Sequence, residues 1–453
     1  MMPLRETRTR CSGQVRKFLE QILGFGPSRL ERDLAIGLAL KGAGAVASFA
    51  LSFLVAHALG AGGVGIFQIA LTTAALASLA AAMGLDTVLV RTVSVAWREG
   101  DLAAAKGAIR RSVRFVAGLG VVIAIVVALA SVPATRSIMH RPELLPSLLI
   151  LSIAVPMLAI IRVVSAAIRG TGRVFLSQSL DGVAYTGIAA LLLGVAFASG
   201  LALASYAPAA VYAGSTFAVA VAGMVGLRSI VRESPVAPAA LPLRSGGRIV
   251  SVVLMAQSVD WLALVALGAV HGAAEAGIFR VAVQYCLLFA IINNAFAQMA
   301  GPHLATLYAK GDRRAMIAAA RKTGLLGALV GIPLLGAILL APSWLLGLFG
   351  GDFRTGATAL VIMAIAQFTN VAAGPMGMVL LMTHREHLVQ RIEIVATGGA
   401  IALLVLTIGH LGLVGAALTV AFAVVVRNVA SIAAVWHQFI RRSDDGGAPS
   451  ADG

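Results

Sequence analysis

The chain has 453 residues, of which 59% are apolar and only 12% charged, with a mean hydropathy of +0.94. That composition excludes a water-soluble globular domain and points to an integral membrane protein. The net charge of +16 would fit a nucleic-acid partner, but the positions of the basic residues give it another meaning.

Residues 1–35 form a basic segment holding Arg5, Arg8, Arg10, Arg16, Lys17, Arg29 and Arg32. Within it Val15, Phe18, Leu19, Ile22 and Leu23 share one helical face opposite Arg16, Lys17 and Glu20. The pattern fits a helix lying on a membrane surface or a basic tail without fixed structure. From residue 36 onward, apolar runs long enough to span a bilayer recur; about 20 residues suffice for each. Twelve are expected, near residues 36–58, 64–90, 112–134, 146–168, 175–198, 204–227, 247–270, 276–300, 319–342, 357–381, 389–409 and 411–436. The first is long enough to stay in the membrane rather than be cleaved as a signal peptide.

Every second connection is basic. Arg91, Arg98, Lys106, Arg110 and Arg111 come first, then Arg169 and Arg173, then Arg228, Arg232 and Arg244. Lys310, Arg313, Arg314, Arg321 and Lys322 follow, then Arg385 and Arg391, and finally Arg441 and Arg442. The intervening connections carry only Arg136, Arg141 and Arg354. This is the alternation of a multi-pass protein with both termini in the cytoplasm, and it leaves no role for nucleic acid. Cys11 and Cys286 are too far apart to form a disulfide framework. The tail, 437–453, is too poor in apolar residues to fold.

The sequence repeats itself. Gly60-Ala61-Gly62-Gly63-Val64-Gly65-Ile66-Phe67-Gln68-Ile69-Ala70 recurs 212 residues later as Gly272-Ala273-Ala274-Glu275-Ala276-Gly277-Ile278-Phe279-Arg280-Val281-Ala282. At the same offset Thr171, Arg173, Gln178 and Asp181 map onto Thr383, Arg385, Gln390 and Glu393. Gly100-Asp101 and Arg110-Arg111 match Gly311-Asp312 and Arg321-Lys322 at an offset of 211. The fold expected is therefore all-α, with about twelve transmembrane helices in two parallel six-helix repeats, 36–228 and 247–436, around a central cleft. A cytoplasmic linker, 229–246, joins them. Six crossings return each half to its starting side, so the halves are related by an axis along the membrane normal, as in many secondary transporters.

Several stretches carry a resemblance to a known family: Leu59 to Phe67, GLDTVLVR from Gly84, GIFRVAVQ from Gly277, and Gly350 to Glu386. In order and spacing over residues 36–436 they resemble the Wzx-type oligosaccharide-lipid flippases, whose superfamily also contains multidrug and toxin extrusion transporters. His384 departs from the pattern, standing where a small residue, usually glycine, is expected. The resemblance implies transport of a polyprenyl-diphosphate-linked oligosaccharide from the inner to the outer leaflet of a bacterial cytoplasmic membrane, for cell-surface polysaccharide assembly. It implies partners in that substrate, in membrane lipid and in assembly proteins, and neither a cofactor nor a catalytic residue.

Candidate site residues are polar groups at membrane depth, where an ionised side chain is costly and marks function by default. Asp260, near the middle of the seventh helix, either pairs with a cation of the site, binds a coupling proton or sodium ion, or joins two helices as a neutral acid. Arg280, at the repeat position of Gln68, reaches either inward to a diphosphate or outward to headgroups. Lys41 lies near the cytoplasmic end of the first helix and divides between snorkelling and phosphate contact. Arg280, Lys41, Gln68 and Asn294 are the candidate substrate contacts. Asn293, Gln298, Gln367 and Asn370 either bind sugar or bond helices together. Asp181 and Glu393, at equivalent places in the two repeats, are expected in structural or gating ion pairs at the cytoplasmic mouth rather than in contact with substrate. Two rivals remain: a multidrug exporter of the same fold, which would need an acidic, aromatic cleft, and a membrane enzyme. For the enzyme, no metalloprotease, nucleophile-elbow or phosphate-loop motif is present.

Overall fold

A computed structural model describes residues 29–230, 243–383 and 385–437. The surface-helix candidate at 15–23, most of the linker and His384 lie outside the described residues. Among the described residues all regular secondary structure is helical, as an exposed backbone in lipid requires, because only a helix satisfies its N–H and C=O groups within one segment. Its outer surface is apolar: Leu129 is 70% exposed, and Val405 and Leu406 are each 72% exposed. Water would not tolerate such a surface, whereas hydrocarbon does.

Among the described residues, ten helices are long and apolar enough to span a membrane. Two of these, Ile36–Ala82 with 47 residues and Glu386–Trp436 with 51, are far longer than one crossing needs. Each holds one glycine outside helical geometry, Gly60 (φ 67, ψ −172) and Gly412 (φ 49, ψ −122). The chain reverses there. Ser52 and Gln68 would lie about 24 Å apart in a continuous helix, yet the Gln68 amide donates to the Ser52 hydroxyl at 3.1 Å. At the second reversal Thr407 approaches the Gly415 carbonyl at 3.5 Å, and Gly399 packs beneath the Phe422 ring. The helices split into 29–59 and 61–82, and into 386–411 and 413–436. The total is therefore twelve crossings, and each reversal takes a single residue because glycine accepts a positive φ without strain.

The remaining crossings are Leu102–Pro133, Leu145–Gly170, 174–198, Ala207–Ile230, Leu243–Val270, Ala273–Ala309, Arg313–Leu340 and 357–382. Three helices expected to be continuous are interrupted. The second turns at Met83 and Gly84 (φ 50 and 69) and continues as the amphipathic Leu85–Glu99. The fifth unwinds at Asp181 (φ −86, ψ 70) and Gly182 (φ 112, ψ −39). The tenth stops at Gly374 (φ 72), because Pro375 cannot donate the next helical hydrogen bond. Connections rich in Arg and Lys gather on one face. The opposite face carries the turns at Gly60, Gly200, Gly272 and Gly412.

The two repeats meet at the sequence they share. A Cβ on Gly65 would collide with the Ala273 carbonyl, and one on Gly277 with the Ala61 carbonyl. Since 273 and 277 are 61 and 65 advanced by 212, each glycine admits the backbone of its counterpart's helix, the reciprocal contact of a pseudo-twofold axis. Local structure repeats as well. Asp101 caps the third helix by accepting from the Ala104 N–H at 2.9 Å, and Asp312 caps the ninth from the Ala315 N–H at 2.9 Å. Phe67 and Phe279, also repeat partners, are fully buried beside the axis.

Substituting Gly65 by Leu is expected to force these helices apart and lower stability by about 1–3 kcal/mol, the usual range for overpacking. Gly62, with nothing within 4 Å of a built Cβ, is the control. Thermal unfolding in detergent should show a lower Tm for Gly65→Leu and little change for Gly62→Leu; equal Tm values would refute the close approach.

Candidate functional site

Hydrogen bonds joining the two halves extend from the glycine-turn face to about mid-membrane. On the first helix, Ser48 accepts from the Gln284 amide at 3.1 Å. On the second, Gln68 accepts from Arg280 Nε at 3.2 Å, and Thr73 accepts from the Trp261 indole at 2.9 Å. All lie within about 20 Å of the glycine-turn face by helical rise. Arg280 and Gln68 are equivalent positions of the repeat, so the axis runs between two residues that differ in charge. Gln68 is 4% exposed. Its amide donates to Ser52 while its carbonyl oxygen holds the guanidinium. Gln68, placed among the substrate contacts from the sequence, is here buried and bonded to Arg280.

Arg280 is partly exposed. Its helix begins at Ala273 rather than 276, so the residue lies about 12 Å from the Gly272 turn, two helical turns deep. That depth favours a charge directed into the protein over one at the headgroups. Asp260, next to Trp261 and also partly exposed, sits near the middle of the membrane. Two arginines act on it electrostatically, Arg280 and Arg427.

Arg427 is an intramembrane charge of the twelfth helix that sequence reasoning passed over, although an arginine within an apolar run is the same signal that singled out Arg280. Its Nε lies 2.6 Å from Glu393 Oε1, with side-chain exposures of 30% and 5%. The contact is close but not aligned for a hydrogen bond, and Glu393 Oε2 is buried without a hydrogen-bond partner among the described residues. Glu393 therefore forms an ion pair inside the second half. One turn further, Thr397 donates to the Met255 carbonyl of the seventh helix at 3.4 Å. The Glu393–Arg427 ion pair thus lies within the second half, which also carries Asp260 and Arg280.

The equivalent acid of the first half is held differently. Asp181 lies at the break of the fifth helix, 3.6 Å from Arg169 of the fourth. It lines a cavity of about 240 Å³ with Lys41 and Gln178. Gly44 of the first helix lies against Val183 beside the break. Asp181 and Glu393 are thus both in ion pairs, but their partners, Arg169 and Arg427, are not repeat equivalents. A second overlooked cation, Arg162, stands partly exposed within the fourth helix. The Tyr185 and Tyr212 rings of the fifth and sixth helices pack edge to face at 5.7 Å. Asn294 is exposed on the eighth helix, beyond the Ser48–Gln284 bond toward the basic face. Among the described residues, no group of three His, Cys, Asp or Glu side chains could hold a metal ion.

The comparisons agree with this architecture. The family described as polysaccharide biosynthesis protein matches residues 31–307. No curated protein matches the chain significantly. Among solved structures, an inward-facing multidrug resistance MATE transporter of the MOP superfamily superposes with a TM-score of 0.72 at 12% identity, covering 91% of this chain and all of the other. An outward-facing MATE transporter gives 0.61 at 15% identity, covering 93% and 96%. A MOP superfamily transporter from Pyrococcus furiosus, described as having a binding pocket of reversed polarity, gives 0.62 at 15% identity, covering 93% and 96%. At these identities the likeness is one of fold.

Removing Arg427 would leave the Glu393 carboxylate buried and unpaired, at a cost of about 3 kcal/mol or more. Arg427→Gln should therefore lower the Tm sharply, and the double variant Glu393→Gln with Arg427→Gln should recover most of the loss. A double variant as unstable as the single one would show that the pair contributes only through packing.

Proposed function

The chain belongs to the polysaccharide biosynthesis protein family, and from that premise we propose that it is a flippase for polyprenyl-diphosphate-linked oligosaccharide. On this reading it moves the glycan from the inner to the outer leaflet of a bacterial cytoplasmic membrane by alternating access. The observation that carries the proposal is Arg280, a partly exposed cation held on the axis between the halves by Gln68, whose amide is anchored in turn on Ser52. A diphosphate entering a cleft between two helical bundles needs such a cation at membrane depth. Arg162 gives the first half a second one. A carrier of lipophilic cations would be opposed by both.

The basic face is taken as cytoplasmic under the positive-inside rule. The seam bonds at Gly65, Gln68 and Thr73 then close the outer side, and the cleft opens inward, the state in which a substrate made in the cytoplasm is loaded. The higher TM-score to the inward-facing transporter supports this state. Outward opening must break the Arg280–Gln68 and Trp261–Thr73 bonds, so substrate or ion binding has to offset their loss. Asp260, within the field of Arg280 and Arg427, is the group assigned to ion coupling. A proton or sodium ion there would weaken its attraction for Arg280 and free that side chain for phosphate. Lys41 and Asp181, which line one cavity near the basic face, are assigned to the loading side, and Glu393 to the gate of the second half.

Arg280→Ala should reduce surface glycan at least about ten-fold, as expected on losing a charge-assisted contact to phosphate. Asp260→Asn should alter the dependence of export on the ion gradient. Both are read by glycan export in cells lacking the native transporter, with protein levels matched. Normal export by Arg280→Ala would remove that residue from the site. Restored resistance to cationic drugs without restored glycan export would replace the proposal by multidrug efflux.

A further inference from the structure

A cavity of about 420 Å³ opens between the third, fourth and sixth helices on the basic face, away from the seam. Lys106, Arg110 and Arg114 line it from the third helix and Arg228 from the end of the sixth, and no acidic residue is among its lining groups. Beneath the cations the lining is apolar, with Val113 and Met224. Arg110, Arg114 and Arg228 are exposed. Lys106, Arg110 and Arg114 follow the i, i+4, i+8 spacing that places side chains one above another on a single helix face. Like charges so placed repel.

The internal repeat supplies a control for the simplest explanation, that this is ordinary enrichment of basic residues on the cytoplasmic side. At the offset of 211, the counterparts of Lys106, Arg110 and Arg114 are Ile317, Arg321 and Leu325. Topology therefore requires no more than one cation on this stripe. The first half carries two extra, on the wall of a cavity that the sixth helix completes with a fourth.

We propose that this cavity is a binding site for the phosphate headgroup of an anionic membrane lipid. Phosphate oxygens would bridge Arg110, Arg114 and Arg228, whose guanidinium groups suit bidentate contact, and the acyl or prenyl chain would lie along Val113 and Met224. Basic pockets between helices at this depth match headgroups that carry two phosphates. Two lipids offer that chemistry: cardiolipin of the bulk bilayer and a polyprenyl diphosphate. The site does not depend on the glycan-transport reading, because a bulk-lipid site stands even if that reading fails.

The test uses purified full-length protein, titrated in detergent with cardiolipin, polyprenyl diphosphate or phosphatidylcholine, with retained lipid counted by native mass spectrometry. Arg114→Leu copies the residue of the second repeat, and Arg228→Gln removes the facing charge from another helix. Arg98→Gln removes an exposed charge from the same face and is the control. Both site variants should retain the diphosphate-bearing lipid about ten-fold less well than the wild type and Arg98→Gln. Phosphatidylcholine should be retained equally by all. Loss for cardiolipin identifies a bulk-lipid site, and loss for polyprenyl diphosphate alone identifies a site for the transported lipid. Wild-type retention of both lipids by folded Arg114→Leu and Arg228→Gln overturns the proposal.

Discussion

The structure depends on one contact made twice. Gly65 admits the backbone of the eighth helix and Gly277 that of the second, so two six-helix halves touch backbone to backbone along their axis. In lipid, hydrocarbon outside a helix is as apolar as a leucine on it, so association relies on close packing and polar bonds rather than on water exclusion. Small residues at the seam are therefore a condition for the polar ladder beside them. Ser48 reaches Gln284, Gln68 reaches Arg280 and Thr73 reaches Trp261 only because the helices approach this closely.

Much of this architecture was legible in the sequence because it rests on local or additive signals. Apolar length gave twelve crossings, and the alternation of arginines gave their order. The repeat of Gly60–Ala70 at Gly272–Ala282 marked the segments that meet at the axis. The breaks at Asp181 and Met83 were not legible, whereas the Gly374-Pro375 breaker stood in the sequence and was passed over. A helix interruption reflects what packs beside it, as Val183 against Gly44 does, and apolar composition continues across it. Ion partners were hidden for the same reason. Eight residues separate Arg173 from Asp181 and Arg385 from Glu393, but the partners seen are Arg169 and Arg427, brought in from other helices. Arg162 and Arg427 were in plain view as charges within apolar runs; tallying basic residues by loop passed over them.

The charges at membrane depth divide between the halves. The second half holds Asp260, Glu393, Arg280 and Arg427, two acids with two bases, so a cation added to this neutral set leaves one arginine without its counter-charge. The first half has Arg162 within the fourth helix and Arg169 with Asp181 at a broken helix. The two halves thus differ in the charges they carry at membrane depth, and the seam between them runs at Arg280.

The pairing of Gln68 with Arg280 also bears on how such a chain can arise. In a homodimer, a residue on the twofold axis faces its own copy, so an arginine there would confront an arginine and a glutamine a glutamine. Joining both halves in one polypeptide lets the two positions mutate separately, and one becomes the donor while the other remains the acceptor. The Gln68–Arg280 pair is thus open only to two halves whose sequences differ, since identical subunits would set the same residue on both sides of the axis.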